Sequence, residues 1–345
     1  MKYNIFTLGE LATIKYGKNQ KKVQSEDGRI PIYGTGGLMG YATEALYDKP
    51  SVLIGRKGTI NKVRYVDHPF WTVDTLFYTE VNDSAVSPKY LYYLMSLIDL
   101  DAYNEGTTIP SLRTETLNRL EFEIPDLEYQ EKVLSVLEPI GQKIRMNEEI
   151  NENLLQQAQA IYCDIFISNA NPSWPLGTLS NLITVRYGKD HKKLADGIYP
   201  VYGSGGIMRY VERPLYDRES VLIPRKGTLN NVMYVNEPFW SVDTMFFTEM
   251  KLPDVAKFVF HFVKSKDLSS LNAGSAVPSM TTDILNAMEL YIPDSDTFAK
   301  FESIVAPMYQ TIQQNTQESG KLTELRDSLL PRLMSGELDV SDLDL

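Results

Sequence analysis

The chain has 345 residues, enough for two or three domains with cores of their own, and its 43% hydrophobic and 23% charged residues match an ordinary globular protein. A single cysteine, Cys163, excludes an internal disulfide framework. No apolar run of about 18 residues is present, which excludes a membrane-crossing helix. Met1 to Gly17 lacks the apolar stretch of a signal peptide, so a reducing cytoplasm is the expected setting. The net charge of −11 opposes a uniformly basic coat for nucleic acid, but segments 127–171 and 295–345 hold −4 and −5 of it. The remaining segments are near neutral and carry local basic clusters.

Residues 1–126 are rich in Gly, Tyr, Val and Ile. Ser51–Ile54 and Lys62–Val66 read as strands, glycines and prolines mark turns, and Pro88–Leu100 reads as a helix. From 127 to 171 the pattern changes. Val133, Leu137, Ile140 and Ile144, then Leu154, Ala158, Ile161 and Ile165, alternate at spacings of four and three, the mark of a helix with a coiled-coil seam. Asn147 and Asn151 fall in the gap of that seam. Residues 172–294 return to the first pattern, with a helix expected over Val255–Leu268. Residues 295–345 repeat the seam as Phe301, Val305, Met308, Ile312, Leu322, Leu329 and Leu333, with Asn315 and Ser319 in its gap. A polar seam residue such as Asn147 or Asn315 fixes helix register, unless it is merely exposed. Pro139 and Pro307 occupy equivalent places and either kink each helix or start its long straight part. A frayed, solvated end is expected from Glu337 to Leu345.

The chain is therefore two copies of one unit, offset by 168 to 171 residues. Tyr16-Gly17-Lys18 recurs as Tyr187-Gly188-Lys189, and Tyr33-Gly34-Thr35-Gly36-Gly37 as Tyr202-Gly203-Ser204-Gly205-Gly206. Ser51–Glu80 matches Ser220–Glu249 at 21 of 30 positions. Ile124-Pro125-Asp126 recurs as Ile292-Pro293-Asp294. The expected fold is α+β, two duplicated mixed α/β domains joined by two long helices that form an antiparallel coiled-coil-like pair. Thirty helical residues span roughly 45 Å, more than the roughly 34 Å of one DNA turn, so the two domains suit neighbouring major-groove faces.

Several positions suit nucleic-acid contact. Lys15, Lys18, Lys21 and Lys22 cluster in one expected loop, and Arg186, Lys189, Lys192 and Lys193 repeat the cluster at matched positions. Lysines in such a loop donate to phosphate without reading sequence, or form a solvated turn. Arg56-Lys57-Gly58-Thr59 and Arg225-Lys226-Gly227-Thr228 follow an apolar strand, where glycine lets backbone approach a ligand and Arg or Lys pairs with guanine or phosphate. A hairpin turn with exposed charge is the plainer alternative. The stretches Gly34–Gly40, with Thr35, and Gly203–Arg209, with Ser204, read as loops able to enter a groove. Asp74 and Asp243 accept from cytosine, orient a nearby Arg, or form structural ion pairs. Thr107, Thr108, Ser111 and Arg113, against Ser275, Ser279 and Thr281, form polar loops suited to base edges or to structural turns. Trp71 and Trp240 read as core rather than base-stacking residues. Where the copies differ, Lys62 faces Asn231, Arg64 faces Met233 and Gly40 faces Arg209; Lys and Arg favour guanine, Asn adenine. The shared frame predicts related half-sites.

The layout resembles the specificity subunit of type I restriction-modification enzymes over nearly the whole chain. The most telling stretch is Leu329-Leu330-Pro331-Arg332-Leu333-Met334-Ser335-Gly336-Glu337-Leu338, which resembles that family's distal helix ending. The series Tyr-Gly-Thr-Gly-Gly, Gly55-Arg56-Lys57-Gly58 and Phe70-Trp71-Thr72-Val73-Asp74-Thr75 resembles a target recognition domain, twice. The resemblance implies target recognition domains at 1–126 and 172–294 and conserved helical regions at 127–171 and 295–345. It also implies a bipartite double-stranded DNA target with a fixed spacer, two docked methyltransferase subunits, and motor-nuclease subunits for cleavage. S-adenosylmethionine and ATP would belong to those partners; no cofactor is expected on this chain, and no membrane.

Missing motifs point the same way. No phosphate-binding Gly-rich loop precedes a Lys-Ser/Thr pair, and the glycines of Gly34–Gly40 break the dinucleotide pattern at Met39. One cysteine and three histidines, His68, His191 and His261, offer no plausible zinc set. Asn171-Pro172-Ser173-Trp174 departs from an amino-methyltransferase motif at Ser173, and Pro125-Asp126 lacks the following residues of a nuclease site. The reading is a non-catalytic DNA-recognition chain; the rival is an interaction scaffold or decoy that binds methyltransferase without productive DNA targeting.

Overall fold

The computed structural model describes residues 3–271 and 279–343. They form two compact units, Met1–Met146 with Gln317–Leu345, and Asn147–Thr316. Each unit holds one α/β repeat, the nearer half of the helix that follows it, and a half of the other long helix.

In the first unit a four-stranded antiparallel sheet runs Ala12–Tyr16, Leu76–Val81, Ser51–Gly55, Val63–Val66. Ser51–Gly55 is buried throughout, as its continuous apolar run requires. Beside it a hairpin pairs Ile30–Gly34 with Gly37–Ala42, and Trp71–Thr72 adds in parallel. A two-stranded ribbon, Asn4–Thr7 with Glu121–Ile124, closes the domain and delivers the chain to the first long helix. The second unit repeats all three sheets with the same strand order and pairing directions. The intervening helices are shorter than the sequence pattern suggests, Pro88–Ser96 and Ala256–Lys264.

The long helices span Leu127–Cys163 and Ser295–Met334. The repeated Ile-Pro-Asp has a local cause: Asp126 Oδ1 accepts from Tyr129 N at 2.9 Å and Asp294 Oδ1 from Thr297 N at 2.8 Å, side-chain caps for otherwise orphaned helix N–H groups. The latter bond holds the Asp294 carboxyl below the usual carboxylate range. Pro139 and Pro307 both lie inside helices that begin before them and continue through. Within each unit the helix halves run antiparallel, as ascending numbers on one meet descending numbers on the other. Lys143 pairs with Glu318 at 3.2 Å in the first unit; Asn147 reaches Asn315 and Asn151 reaches Ile312 in the second.

The asparagines expected in the seam gap do meet. Asn315 Nδ2 donates to Asn151 Oδ1 at 2.9 Å, Asn147 Nδ2 to the Asn315 carbonyl at 3.4 Å, and Asn147 is fully buried. Further on the seam changes phase. Tyr162, still within the α-helix, and Phe166, in a π-helical turn at Asp164–Ser168, follow Ala158 at spacings of four into the second core, leaving Ile161 and Ile165 half-buried.

The acidic end is also not as expected. Val340 is 6% exposed and packs in the first core, Lys132 Nζ donates to the Ser341 carbonyl at 2.6 Å, and Gly336 turns with φ +73° against Tyr3. The segment through Ser341 is docked, because one valine among acidic residues finds an apolar slot.

Candidate nucleic-acid interface

Each unit has a small second core beneath its hairpin, built in the first around Ile32, Trp71 and Val73 and in the second around Val201, Trp240 and Val242. Trp71 and Trp240 are therefore core residues, and each has a further task. Trp71 Nε1 donates to the Lys18 carbonyl at 2.8 Å, and Trp240 Nε1 to the Lys189 carbonyl at 2.8 Å. Lys18 N and Lys189 N in turn donate to Thr72 and Ser241 carbonyls. The backbone of each basic loop is thus fixed where its side chain stays exposed. Lys21, Lys22, Lys192 and Lys193 follow on exposed turns, the latter pair in a turn closed by Lys192 N donating to Asp190 Oδ1 at 3.1 Å. Lys15 and Arg186 are not in the loop. They sit on strands and pair with Glu80 at 3.4 Å and Glu249 at 3.0 Å, so their charge is already matched.

The loop after the buried strand is held from two sides. Arg56 N and Lys57 N donate to the Thr75 carbonyl, while Leu112 N donates to the Arg56 carbonyl and Gly58 N to the Pro110 carbonyl. Gly58 has φ +88°, a left-handed conformation that a side chain would strain. Lys57 bridges to Ser111, and in the second unit Lys226 bridges to Ser279. Arg56 lies over the Tyr16 ring at 5.1 Å and donates from Nη1 to the Asp74 carbonyl at 2.9 Å; Arg225 does the same with Tyr187 at 5.4 Å and Asp243 at 3.2 Å. Asp74 and Asp243 therefore orient an arginine, through their backbone, and their carboxylates remain exposed. Thr59 and Thr228 are exposed at the loop's far end.

Thr35 and Lys62, distant in sequence, line one cleft of about 300 Å³ with Arg64. Arg64 lies 5.1 Å from the Tyr33 ring. In the second unit Asn231 ties the corresponding region down instead, donating to the Ser204 carbonyl at 2.8 Å. Arg209 turns back to the Leu194 carbonyl at 2.8 Å and to Asp196 at 3.0 Å. Thr107 and Thr108 project from a loop that Asn104 closes through Gly106 N and Ser111 N, and Arg113 pairs with Glu105 at 3.0 Å. Thr281 is occupied as a helix cap, accepting from Ile284 N. Ser275 lies outside the described residues. Asn147 and Asn315 stand apart, on the long helices.

The structure so brings Thr35, Arg56, Lys57, Lys62, Asp74 and Ser111 into one region of the first unit, with their counterparts Ser204, Arg225, Lys226, Asn231, Asp243 and Ser279 in the second. Sequence reasoning singled out Arg64 as a position where the copies differ, but left out the ring partners Tyr16 and Tyr187; their recurrence beside Gly-Lys was the available signal. The stretches read as loops at Gly34–Gly40 and Gly203–Arg209 are hairpins, each with a register shift. Among the described residues no cluster of three His, Cys, Asp or Glu could hold a metal, and no helix is long and apolar enough to cross a membrane.

A family model described as the type I restriction modification DNA specificity domain matches residues 1–156 and 174–325. The type I restriction enzyme MjaIX specificity subunit of Methanocaldococcus jannaschii is 22% identical, covering 86% of this chain and 80% of its own. The HindI specificity subunit of Haemophilus influenzae is 20% identical, covering 78% and 81%. A crystal structure of a type I restriction-modification system S subunit from M. genitalium superposes with a TM-score of 0.62 at 20% identity over 96% of both chains, a likeness of fold.

Proposed function

The chain belongs to the type I restriction modification DNA specificity family, and on that premise we propose that it reads a bipartite double-stranded DNA target, one half-site per repeat, and docks methyltransferase subunits. It is a specificity subunit, a DNA-recognition chain and not itself an enzyme. Such subunits act with methyltransferase and motor-nuclease subunits and bind DNA. The S-adenosylmethionine for methylation would sit on the methyltransferase.

The observation that carries the bipartite reading is the duplication of one tethered interface. In both repeats an arginine stacked on a tyrosine is aimed by an aspartate carbonyl, beside a basic loop pinned by a tryptophan. Restraining backbone and guanidinium before binding lowers the ordering cost that flexible loops carry. In this reading residues 1–126 and 172–294 are the target recognition domains. Lys18, Lys21, Lys22, Lys189, Lys192 and Lys193 contact phosphate. Arg56, Lys57, Lys62, Arg225, Lys226 and Asn231 face bases or adjacent phosphates, with Thr59, Thr228, Thr107, Thr108, Ser111 and Ser279 at the margins. The helical segments 127–171 and 295–345 set the spacer and carry the methyltransferase. Because the two frames share so many residues, the half-sites are related.

Methylome sequencing of cells expressing the cognate methyltransferase, with and without this chain, tests the reading. A motif of two short halves and a fixed gap, present only with the chain, is expected. A stable complex with the methyltransferase and no motif would leave the scaffold reading in its place.

A further inference from the structure

Each hairpin beside the basic region presents large apolar side chains to water. Leu38, Met39 and Tyr41 are 53%, 52% and 45% exposed, and Ile207, Met208 and Tyr210 are 49%, 61% and 50% exposed. A run of this kind on a surface is a liability unless something covers it. Both repeats nevertheless keep it, although they differ at nearby positions such as Gly40 and Arg209.

The hairpins share a second peculiarity. Ile32 pairs with Gly40 while Tyr33 pairs with Leu38, so Met39 is an extra residue without a partner. Val201 pairs with Arg209 while Tyr202 pairs with Ile207, which makes Met208 the extra residue of the second hairpin. A bulge of this kind bends its strand and re-aims a side chain. The same residue type is re-aimed in both copies, and methionine is the side chain that best adapts to an irregular apolar surface. Each Met sulfur lies over a glycine at the start of its turn: a Cβ on Gly34 or Gly203 would come within 2.3 Å and 2.5 Å of it.

The surroundings indicate the occupant. Thr35 on the first hairpin tip and Arg64 against it line the basic cleft, so the covering surface is anionic and offers apolar groups within a groove wide enough for two strands. The major groove of B-DNA admits a two-stranded ribbon without distortion, whereas the undeformed minor groove is only about 6 Å wide. The apolar group displayed in the major groove is the thymine C5-methyl. We propose that the bulged hairpins are thymine-reading elements, with Met39 and Met208, flanked by Leu38 and Ile207, packing on thymine methyls of the first and second half-site. The proposal rests on the DNA-reading role above, and deepens it.

The test replaces thymine by deoxyuridine in each half-site of the target identified by methylome sequencing, which removes the methyl and leaves pairing intact. Affinity is measured for the full chain in complex with its methyltransferase. The unmodified duplex must bind in preference to a scrambled one; absence of that preference overturns the DNA-reading role itself. With specific binding present, deoxyuridine is expected to weaken it about four-fold per contacted methyl. Met39→Ala is expected to weaken binding of the unmodified duplex by a similar factor and to abolish the deoxyuridine effect in one half-site only, and Met208→Ala in the other, with the preference over the scrambled duplex reduced rather than lost. Specific binding indifferent to deoxyuridine, a half-site without any A·T pair, or a deoxyuridine effect unchanged by both variants would each overturn the thymine-reading role and leave the subunit's function standing.

Discussion

His261 is buried between side chains of both long helices in the second unit. Its Nδ1 faces Gln159 Oε1 at 2.8 Å and its Nε2 faces the Tyr309 hydroxyl at 2.9 Å, while the Tyr162 ring stacks on it. The Gln159 amide oxygen accepts from Nδ1, which leaves Nε2 of the neutral ring to accept from the Tyr309 hydroxyl. Burial, helped by the nearby Lys264 charge, pushes its pKa down from 6.5 to about 4. The unfolded chain binds the proton below about 6.5 and the folded chain only below about 4. Stability is thus unaffected above 6.5 and declines as pH falls through that window, by on the order of 3 kcal/mol, levelling off below 4. His261→Gln should remove this part of the acid sensitivity, read as the difference between wild-type and variant unfolding free energies from pH 7 to 4; parallel pH profiles would show that His261 is not its source. The first repeat has Tyr93 at the matching position, with its hydroxyl donated to Glu138, so the effect belongs to one unit.

At the level of elements, two features can be probed. The asparagine contacts among Asn147, Asn151 and Asn315 place polar groups on an otherwise apolar seam, a device that trades stability for register. Changing Asn151 and Asn315 together to leucine should raise thermal stability by about 1–2 kcal/mol while allowing altered pairing, detectable as heterogeneous cross-links between cysteines placed at Lys143 and Glu318. A single cross-linked species with raised stability would leave the asparagines without a register role. The docked tail makes the opposite prediction: Val340→Asp should destabilise the first unit by about 2–3 kcal/mol, the burial lost, and leave the second unit's amide-exchange protection unchanged. The buried strand at Ser51–Gly55, the seam from Val133 to Leu137 and the duplication itself are legible in the sequence, because burial imposes periodicity and copying preserves it. Tyr162 and Phe166 are not, since after Ala158 the helix buries successive positions four apart instead of the alternating seam, and neither is Val340, whose acidic neighbours mask one apolar contact. At the interface, residue types could be read but not their tethers: that Asp74 aims Arg56 by its carbonyl depends on a turn that no spacing reveals.

For the whole molecule, net charge and DNA binding coexist because acid and base are sorted along the chain. The helical segments hold most of the excess acid, and the exposed lysines recur in the loops of each repeat. Affinity should consequently depend on salt as local phosphate contacts dictate. Replacing Lys18, Lys21 and Lys22 together by alanine should lower the slope of log affinity against log salt by about 2.7, some 0.9 per contact, with little change in the sequence preferred. An unchanged slope would assign these lysines to solvent.

The division of the chain also bears on how it is made. The second unit is one continuous stretch, Asn147–Thr316, whereas the first needs residues from both ends, including Leu330, Leu333 and Val340 in its core. On a ribosome the first repeat emerges early, yet its last core residues follow about 190 positions after Met146, roughly ten to forty seconds at ordinary elongation rates. The part synthesised later is thus the first able to complete its fold, and the nascent first repeat must hold Val133 and Leu137 unsealed in the meantime, an interval in which chaperone protection matters most.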